Sequence, residues 1–220
     1  MVPTVPLPRR PLDPDDTTSD VRHWYENELR WATVPGSGCG GLPVRLVVGR
    51  SFDVLDVPAE AGFAALRHRG QVRAPASPVA LHGDRMLLLV AAGSADELPG
   101  LLDWLEWGGL APDLRAIGAG GHIEAPLPPG PPGSPVPAGS SPGSQARSQS
   151  GSEARTNPQG AAVWLRPPET GCGTAVPLPT MSALGGVGGA PDLVRLVDTL
   201  ATQCQRVRLR RACAQPLAFS

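Results

Sequence analysis

The chain has 220 residues, and proline and glycine each number 27, which predicts one domain carrying long irregular segments. Its formal net charge is -1, with every cationic side chain other than histidine an arginine, so no global field draws in nucleic acid or an anionic membrane. The longest apolar run, MLLLVAA from Met86, is too short to span a bilayer, and the N-terminal MVPTVPLPRRPLDPDD lacks the apolar core of a signal peptide.

Residues 1–18 are rich in proline and acid and predict a disordered tail. TTSD then offers a helix cap, and VRHWYENELR follows with Val21, Trp24, Tyr25 and Leu29 on one face. WATVP, VRLVVG and SFDVLDV read as three successive strands. AEAGFAALRHRG is helical, with Ala59, Phe63 and Leu66 expected in the core and His68 at its basic C-terminal end. SPVALHG and RMLLLVAAG form a hairpin around the Gly83-Asp84 turn.

SADELPGLLDWLEWGG opens with Ser94 and carries Glu97 three residues on, the spacing of a capping box. Its apolar stripe takes in Leu98, Leu101, Leu102, Trp104 and Leu105. DLRAIG and HIEAP read as a strand pair around a Gly-rich turn. Residues 126–160 hold almost nothing to bury and predict a disordered insertion. AAVWLRPP returns to strand character, and a last helix over 185–211 is opened by Pro191 at its first turn, ahead of a tail at 212–220. The expected fold class is α+β, a mixed sheet covered by helices.

Cys39, Cys172, Cys204 and Cys213 form no C-x-x-C pair, which argues against zinc and for reduced thiols in the cytoplasm. Two aspartates, Asp53 and Asp56, interrupt the apolar strand SFDVLDV. Alternate strand residues share a face, so Phe52, Val54, Asp56 and Pro58 point one way and Asp53, Leu55 and Val57 the other. The two carboxylates cannot work as a pair. A two-metal site wants carboxylates at i and i+2, and the residue two beyond Asp56 is Pro58, which has no ligand atom.

The succession VRLVVGRSFDVLDVPAEAG, HGDRMLLLV and DLRAIGAGGHIEAP resembles the bifunctional DNA primase/polymerase N-terminal (Prim-Pol) domain of the archaeo-eukaryotic primase superfamily. The order and spacing are similar to those of its actinobacterial members, with WATVPG as their first strand and AAVWLRPP and LPTMSAL as their C-terminal segments. The resemblance spans Ser19 to Pro129 and Ala161 to Leu184 within a domain at 19–211. It implies a D-x-D pair on catalytic metals, a histidine on the nucleotide phosphates and a third carboxylate. Asp56 falls on the first aspartate and Asp113 on the third carboxylate, while Pro58 and Met86 stand at the second aspartate and the histidine. The resemblance thus implies the fold and, in the same residues, a degenerate site without the ligands that neutralise a transferring phosphoryl group.

His122 and Glu124 share a strand face and are candidate substitute ligands beside Asp56 and Asp113, with His82 before the hairpin turn. Solvated strand ends account for the same residues. Gly36, Gly38 and Gly41 match dinucleotide-fingerprint spacing, yet they lead into a strand rather than a helix N-terminus. GGVGGAPDL precedes a helix but follows no clear strand. Arg206, Arg208, Arg210 and Arg211 end the last helix and are either phosphate contacts or complements to its dipole. Trp104 and Trp107 offer base-stacking surfaces or core.

Three functions follow. The leading one is a catalytically inactive primase/polymerase-like domain that binds nucleic acid or nucleotides, or regulates. The second is an active primase/polymerase that uses Asp56 and Asp113 with Mg²⁺ or Mn²⁺. The third is a protein-interaction scaffold whose proline-rich insertion docks a partner.

Overall fold

A computed structural model describes residues 14–39, 42–69, 77–129, 161–169, 178–180 and 193–213. The insertion from residue 130 to 160, Cys172, Pro191, residues 181–192 and the ends of the chain lie outside the described residues, as do the side chains of residues 14–17, His68 and Arg69. The first helix, α1, runs Pro14–His23 and widens into a π-type turn over Trp24–Glu28, so helix begins inside the stretch read from composition as a tail. Strand β1 is Arg45–Val47, β2 is Asp53–Pro58 and α2 is Ala59–Arg69. The hairpin follows as β3 (Val79–His82) and β4 (Arg85–Val90), then α3 (Ser94–Trp104). Strands β5 (Arg115–Ile117), β6 (His122–Glu124) and β7 (Val163–Arg166) precede α4 (Leu193–Cys213).

Five strands form one sheet in the order β5-β2-β4-β3-β7, and β1 and β6 form a separate pair. The α+β class is as expected, but every pairing between the described strands is antiparallel rather than mixed. The segments DLRAIG and HIEAP do not pair with each other. β5 extends the main sheet beside β2, and β6 crosses to β1, because the tight turn at Gly118–Gly121 sends the chain out of the sheet plane instead of back along it. WATVP contributes only an isolated bridge, Thr33 to Leu46, rather than a strand.

Both faces of the main sheet are covered, which is why β4 reads as an unbroken apolar run and not an alternation. On one face Leu55, Val57, Met86, Leu88 and Val90 pack under Ala61 and Ala65 of α2, Leu98 and Leu101 of α3, and Leu196, Val197 and Leu200 of α4. On the other, Val54, Leu87 and Leu89 pack with Phe52, Trp31, Tyr25 and Trp24, closed by Leu46 and Ile123 of the β1–β6 pair. Tyr25 is fully buried; its hydroxyl donates to the Pro126 carbonyl (2.7 Å) and accepts from the Trp164 indole N–H (3.1 Å). Burial pushes the Tyr25 phenol far above its ordinary range against the small opposing effect of Trp164, so it stays neutral.

Three side-chain expectations are corrected. In α2 the small residues Ala61, Gly62 and Ala65 face the core, because the helix lies so close to β4 that a Cβ on Gly62 would meet the Met86 sulfur at 2.2 Å; Phe63 is turned to the exposed side. In α3 the capping box does not form: Gly93, in left-handed conformation, stands at the cap position, and Ser94 is buried. Trp104, read as core, is 70% exposed, since it lies about a sixth of a turn beyond Leu101 at the edge of the stripe that meets the sheet.

Candidate functional site

The sequence alternation holds in β2, and the two aspartates have unrelated surroundings. Asp53 lies on the helix-covered face and is 1% exposed. Its Oδ2 accepts the backbone N–H of Ala95 in the first turn of α3 (2.8 Å), so the strand supplies the N-terminal cap that Ser94 does not. Its Oδ1 has no hydrogen-bond partner among the described residues. An anionic oxygen beside a helix N-terminus is favoured by the partial positive charge of the unpaired N–H groups.

Asp56 lies on the opposite face, where β2 pairs with β4 and β5. Register places Arg85, the first residue of β4, directly opposite Pro58, with His82 of β3 opposite Arg85 on its other side. Cross-strand partners share a face, so Arg85 reaches over the strand to Asp56. Its Nε donates to Asp56 Oδ1 at 2.7 Å and its Nη2 to the Asp56 backbone carbonyl at 3.1 Å. The Nη1 donates to both oxygens of Asp113, each at 3.0 Å. One guanidinium is therefore clasped by the two carboxylates that the resemblance implies as metal ligands. Arg115, exposed and opposite Asp56 in β5, stands 4.0 Å from Asp113.

The side chains of Arg85 and Asp56 are 21% and 17% exposed, and that of Asp113 is 45% exposed, so the clasp is half-sheltered rather than buried. Burial works against the charge of Arg85, but the hydrogen bonds and negative charges of Asp56 and Asp113 outweigh it and hold the guanidinium above its ordinary pKa. A cation that cannot be titrated away thus occupies the space between the carboxylates.

Beside the clasp a cleft of about 280 Å³ opens between the main sheet and the β1–β6 pair. Asp56, Arg85 and His82 line one wall, and Arg45, His122 and Glu124 line the other. His122 and Glu124 do reach the neighbourhood of Asp56, but each is engaged elsewhere. Glu124 Oε2 lies 3.6 Å from His82 Nε2, and its Oε1 accepts the Ala162 N–H at 3.3 Å. His122 Nε2 is 3.0 Å from Arg45 Nη1. Among the described residues no group of three or more His, Cys, Asp or Glu side chains is placed to hold a metal ion.

Met86 and Pro58 also find their places. Met86 pairs with Val57 and is fully buried under α2, on the face away from Asp56, so no side chain at that position can meet a ligand held at the clasp. Pro58 ends β2 on the Asp56 face opposite Arg85. The position where a D-x-D pair would put its second carboxylate therefore faces the arginine. Arg85 is the residue that reading the sequence missed. The signal was present: a two-residue Gly83-Asp84 turn sets His82 opposite Arg85, and alternation from there puts Arg85 on the face of Leu87 rather than that of Met86.

Three of the four arginines ending α4 make contacts within the protein. Arg210 and Arg211 meet Glu60 of α2 at 3.3 and 3.6 Å, Arg208 donates to the Leu110 carbonyl at 2.9 Å, and Arg206 is exposed. The Trp107 indole N–H donates to Asp198 of α4 at 3.1 Å. Gly36 and Gly38 take up left-handed turn conformations, and Gly41 lies outside the described residues. No helix among the described residues is long and apolar enough to cross a membrane.

Cys39 and Cys213 are exposed free thiols, whereas Cys204 is buried with its Sγ 3.4 Å from the Asp113 carbonyl. Burial, aided by the negative charge of Asp113 and opposed by Arg85, pushes the Cys204 thiol up to about 12. At pH 8, iodoacetamide is expected to alkylate Cys39 and Cys213 and to spare Cys204 until the chain is unfolded, as read by peptide mass spectrometry. Unfolded, this thiol ionises near 9.0, so its contribution to stability is intact below that pH and is lost as pH rises from there to about 12. Labelling of Cys204 in native protein at the rate of Cys213 would contradict this placement.

No protein-family model, curated protein or solved structure matches the chain.

Proposed function

We propose that this protein is a primase/polymerase-like domain that does no catalysis and works as a nucleic-acid- or nucleotide-binding or regulatory module. One observation carries the reading: the Arg85 guanidinium lies between Asp56 and Asp113, in the space a metal would need. Phosphoryl transfer of the polymerase kind depends on divalent cations that bridge phosphate oxygens and neutralise charge as it develops. A guanidinium supplies positive charge and directed N–H donors, but it has no exchangeable coordination site for a phosphate oxygen or an attacking hydroxyl. Its charge is moreover met by two carboxylates already in contact with it. In the cleft next to the clasp His82 lies against Glu124 and Arg45 against His122, and the guanidinium of Arg45, with five N–H donors, is the group there suited to an anion, which supports binding without turnover.

The test uses the full chain with a primed and an unprimed single-stranded DNA template, nucleotides, and Mg²⁺ or Mn²⁺. The expected result is no primer synthesis or extension, together with fluorescence-anisotropy binding of the DNA at low salt that weakens steeply as salt rises. Extension that disappears in Asp56→Ala would make the chain an enzyme. Absence of both extension and low-salt binding of DNA or nucleotide would replace this reading with the interaction scaffold.

A further inference from the structure

On the far side of Asp113 from the cleft, a second cavity of about 440 Å³ opens between the C-terminal half of α4, the end of β2 and the loop ahead of β5. That volume is within the range of about 300 to 1,000 Å³ usual for small-molecule sites. Cys204 and Val207, both buried, and Pro58 make an apolar floor, while exposed Arg208 and Arg211 stand at its rim. Asp113 also lines it, but its carboxylate is held by two hydrogen bonds from Arg85. The cavity therefore presents positive charge over an apolar base.

A guanidinium has five N–H donors. Arg208 spends one on the Leu110 carbonyl, and Arg211 meets Glu60 at 3.6 Å, so each keeps donors for something else. A cation is disfavoured by the two arginines. An inorganic anion would leave the floor bare, and a wholly apolar molecule would leave the rim solvated and unused. We propose that this cavity binds a small amphipathic anion: a compact apolar or aromatic body on Cys204 and Val207, with one carboxylate, sulfonate or phosphate monoester on Arg208 and Arg211. Charge-assisted, bidentate contacts of this kind are the strong class of hydrogen bond and set the orientation of the ligand. The site does not depend on the primase-like reading, since it uses neither nucleic acid nor a metal.

The probe is 2-naphthoate, titrated calorimetrically into the full chain and compared with its neutral counterpart 2-naphthamide and with inorganic phosphate. Saturable binding of 2-naphthoate is expected, with the amide and phosphate each at least tenfold weaker. Arg208→Ala, at an exposed position, is expected to weaken 2-naphthoate at least tenfold, and Arg208→Lys to recover part of the loss. Arg50→Ala, in the exposed turn before β2 and at its opposite end from Pro58, is expected to bind as the parent does. A shift of the Val207 methyl resonances on adding 2-naphthoate would locate the ligand. No saturable binding, equal affinity for acid and amide, unchanged affinity in Arg208→Ala, or unmoved Val207 methyls would each overturn the proposal.

Discussion

Replacing Arg85 with alanine is expected to destabilise the fold by about 3 kcal/mol and, in the same step, to create a divalent-cation site that the parent does not have. The loss has two parts. Four hydrogen bonds disappear, three of them to carboxylate oxygens and one to the Asp56 carbonyl. Two carboxylates that shared one cation are then left facing each other, Asp56 being the more sheltered. Removing one partner of a buried ion pair typically costs about 3 to 5 kcal/mol, and partial exposure here brings the figure to the bottom of that range.

The gain follows from the same geometry. Without the guanidinium, Asp56 and Asp113 flank a space suited to a hard cation that keeps most of its water. Mn²⁺ at ten times its dissociation constant would return ~1.4 kcal/mol to the variant and nothing to the parent. Urea unfolding of both proteins, with and without Mn²⁺, measures the two effects together. Equal Mn²⁺ response in parent and variant would show that Arg85 does not exclude the cation. No activity is expected to accompany Mn²⁺ binding, since Pro58, two residues beyond Asp56, carries no ligand atom.

Asp53→Ala should cost about 2 kcal/mol in the same unfolding experiment, and Asp53→Asn about half as much. The alanine loses the charge-assisted bond to the Ala95 N–H and the favourable alignment of an anion with the α3 N-terminus. Those losses are about 1.5 to 3 and 0.3 to 1 kcal/mol respectively. They are partly offset because Oδ1 is buried without a partner and its desolvation is relieved. Asparagine keeps an acceptor for Ala95, loses the charge, and places its amide NH2 where Oδ1 already lacks a partner. If the alanine variant unfolded at the same urea concentration as the parent, Asp53 would not be the cap of α3. Because Asp53 and Asp56 lie on opposite faces with no shared partner, the effects of Asp53→Ala and Arg85→Ala are expected to add.

Much of the layout was legible along the chain. The helix periods of α2, α3 and α4 and the hairpin around Gly83 and Asp84 come from short-range rules of spacing and turn chemistry, which need no neighbours to operate. The separation of Asp53 from Asp56 came from the same source, since side-chain direction in a strand reverses at every residue. Less legible was which apolar residue meets which surface. Phe63 belongs to a helix that approaches β4 so closely that Gly62 sits against Met86, which leaves the positions nearest the strand to Ala61, Gly62 and Ala65. Trp104 continues an apolar stripe in sequence, yet the stripe extends beyond the area of sheet that α3 covers.

The arginine clasp lies at the boundary between the two. Residue identity and strand period place Asp56 and Pro58 on one face, and the tight turn puts Arg85 at the start of the next strand of the hairpin. That β4 then lies beside β2, that β5 flanks β2 on its other edge, and that β6 leaves to pair with β1 are outcomes of packing two apolar faces at once. Asp113, 28 residues from Arg85, meets it only because those strands are neighbours in space. Local chemistry along the chain settled which groups are available and which way each one points. Long-range burial of apolar surface, which no short window of sequence contains, selected the cation they close upon.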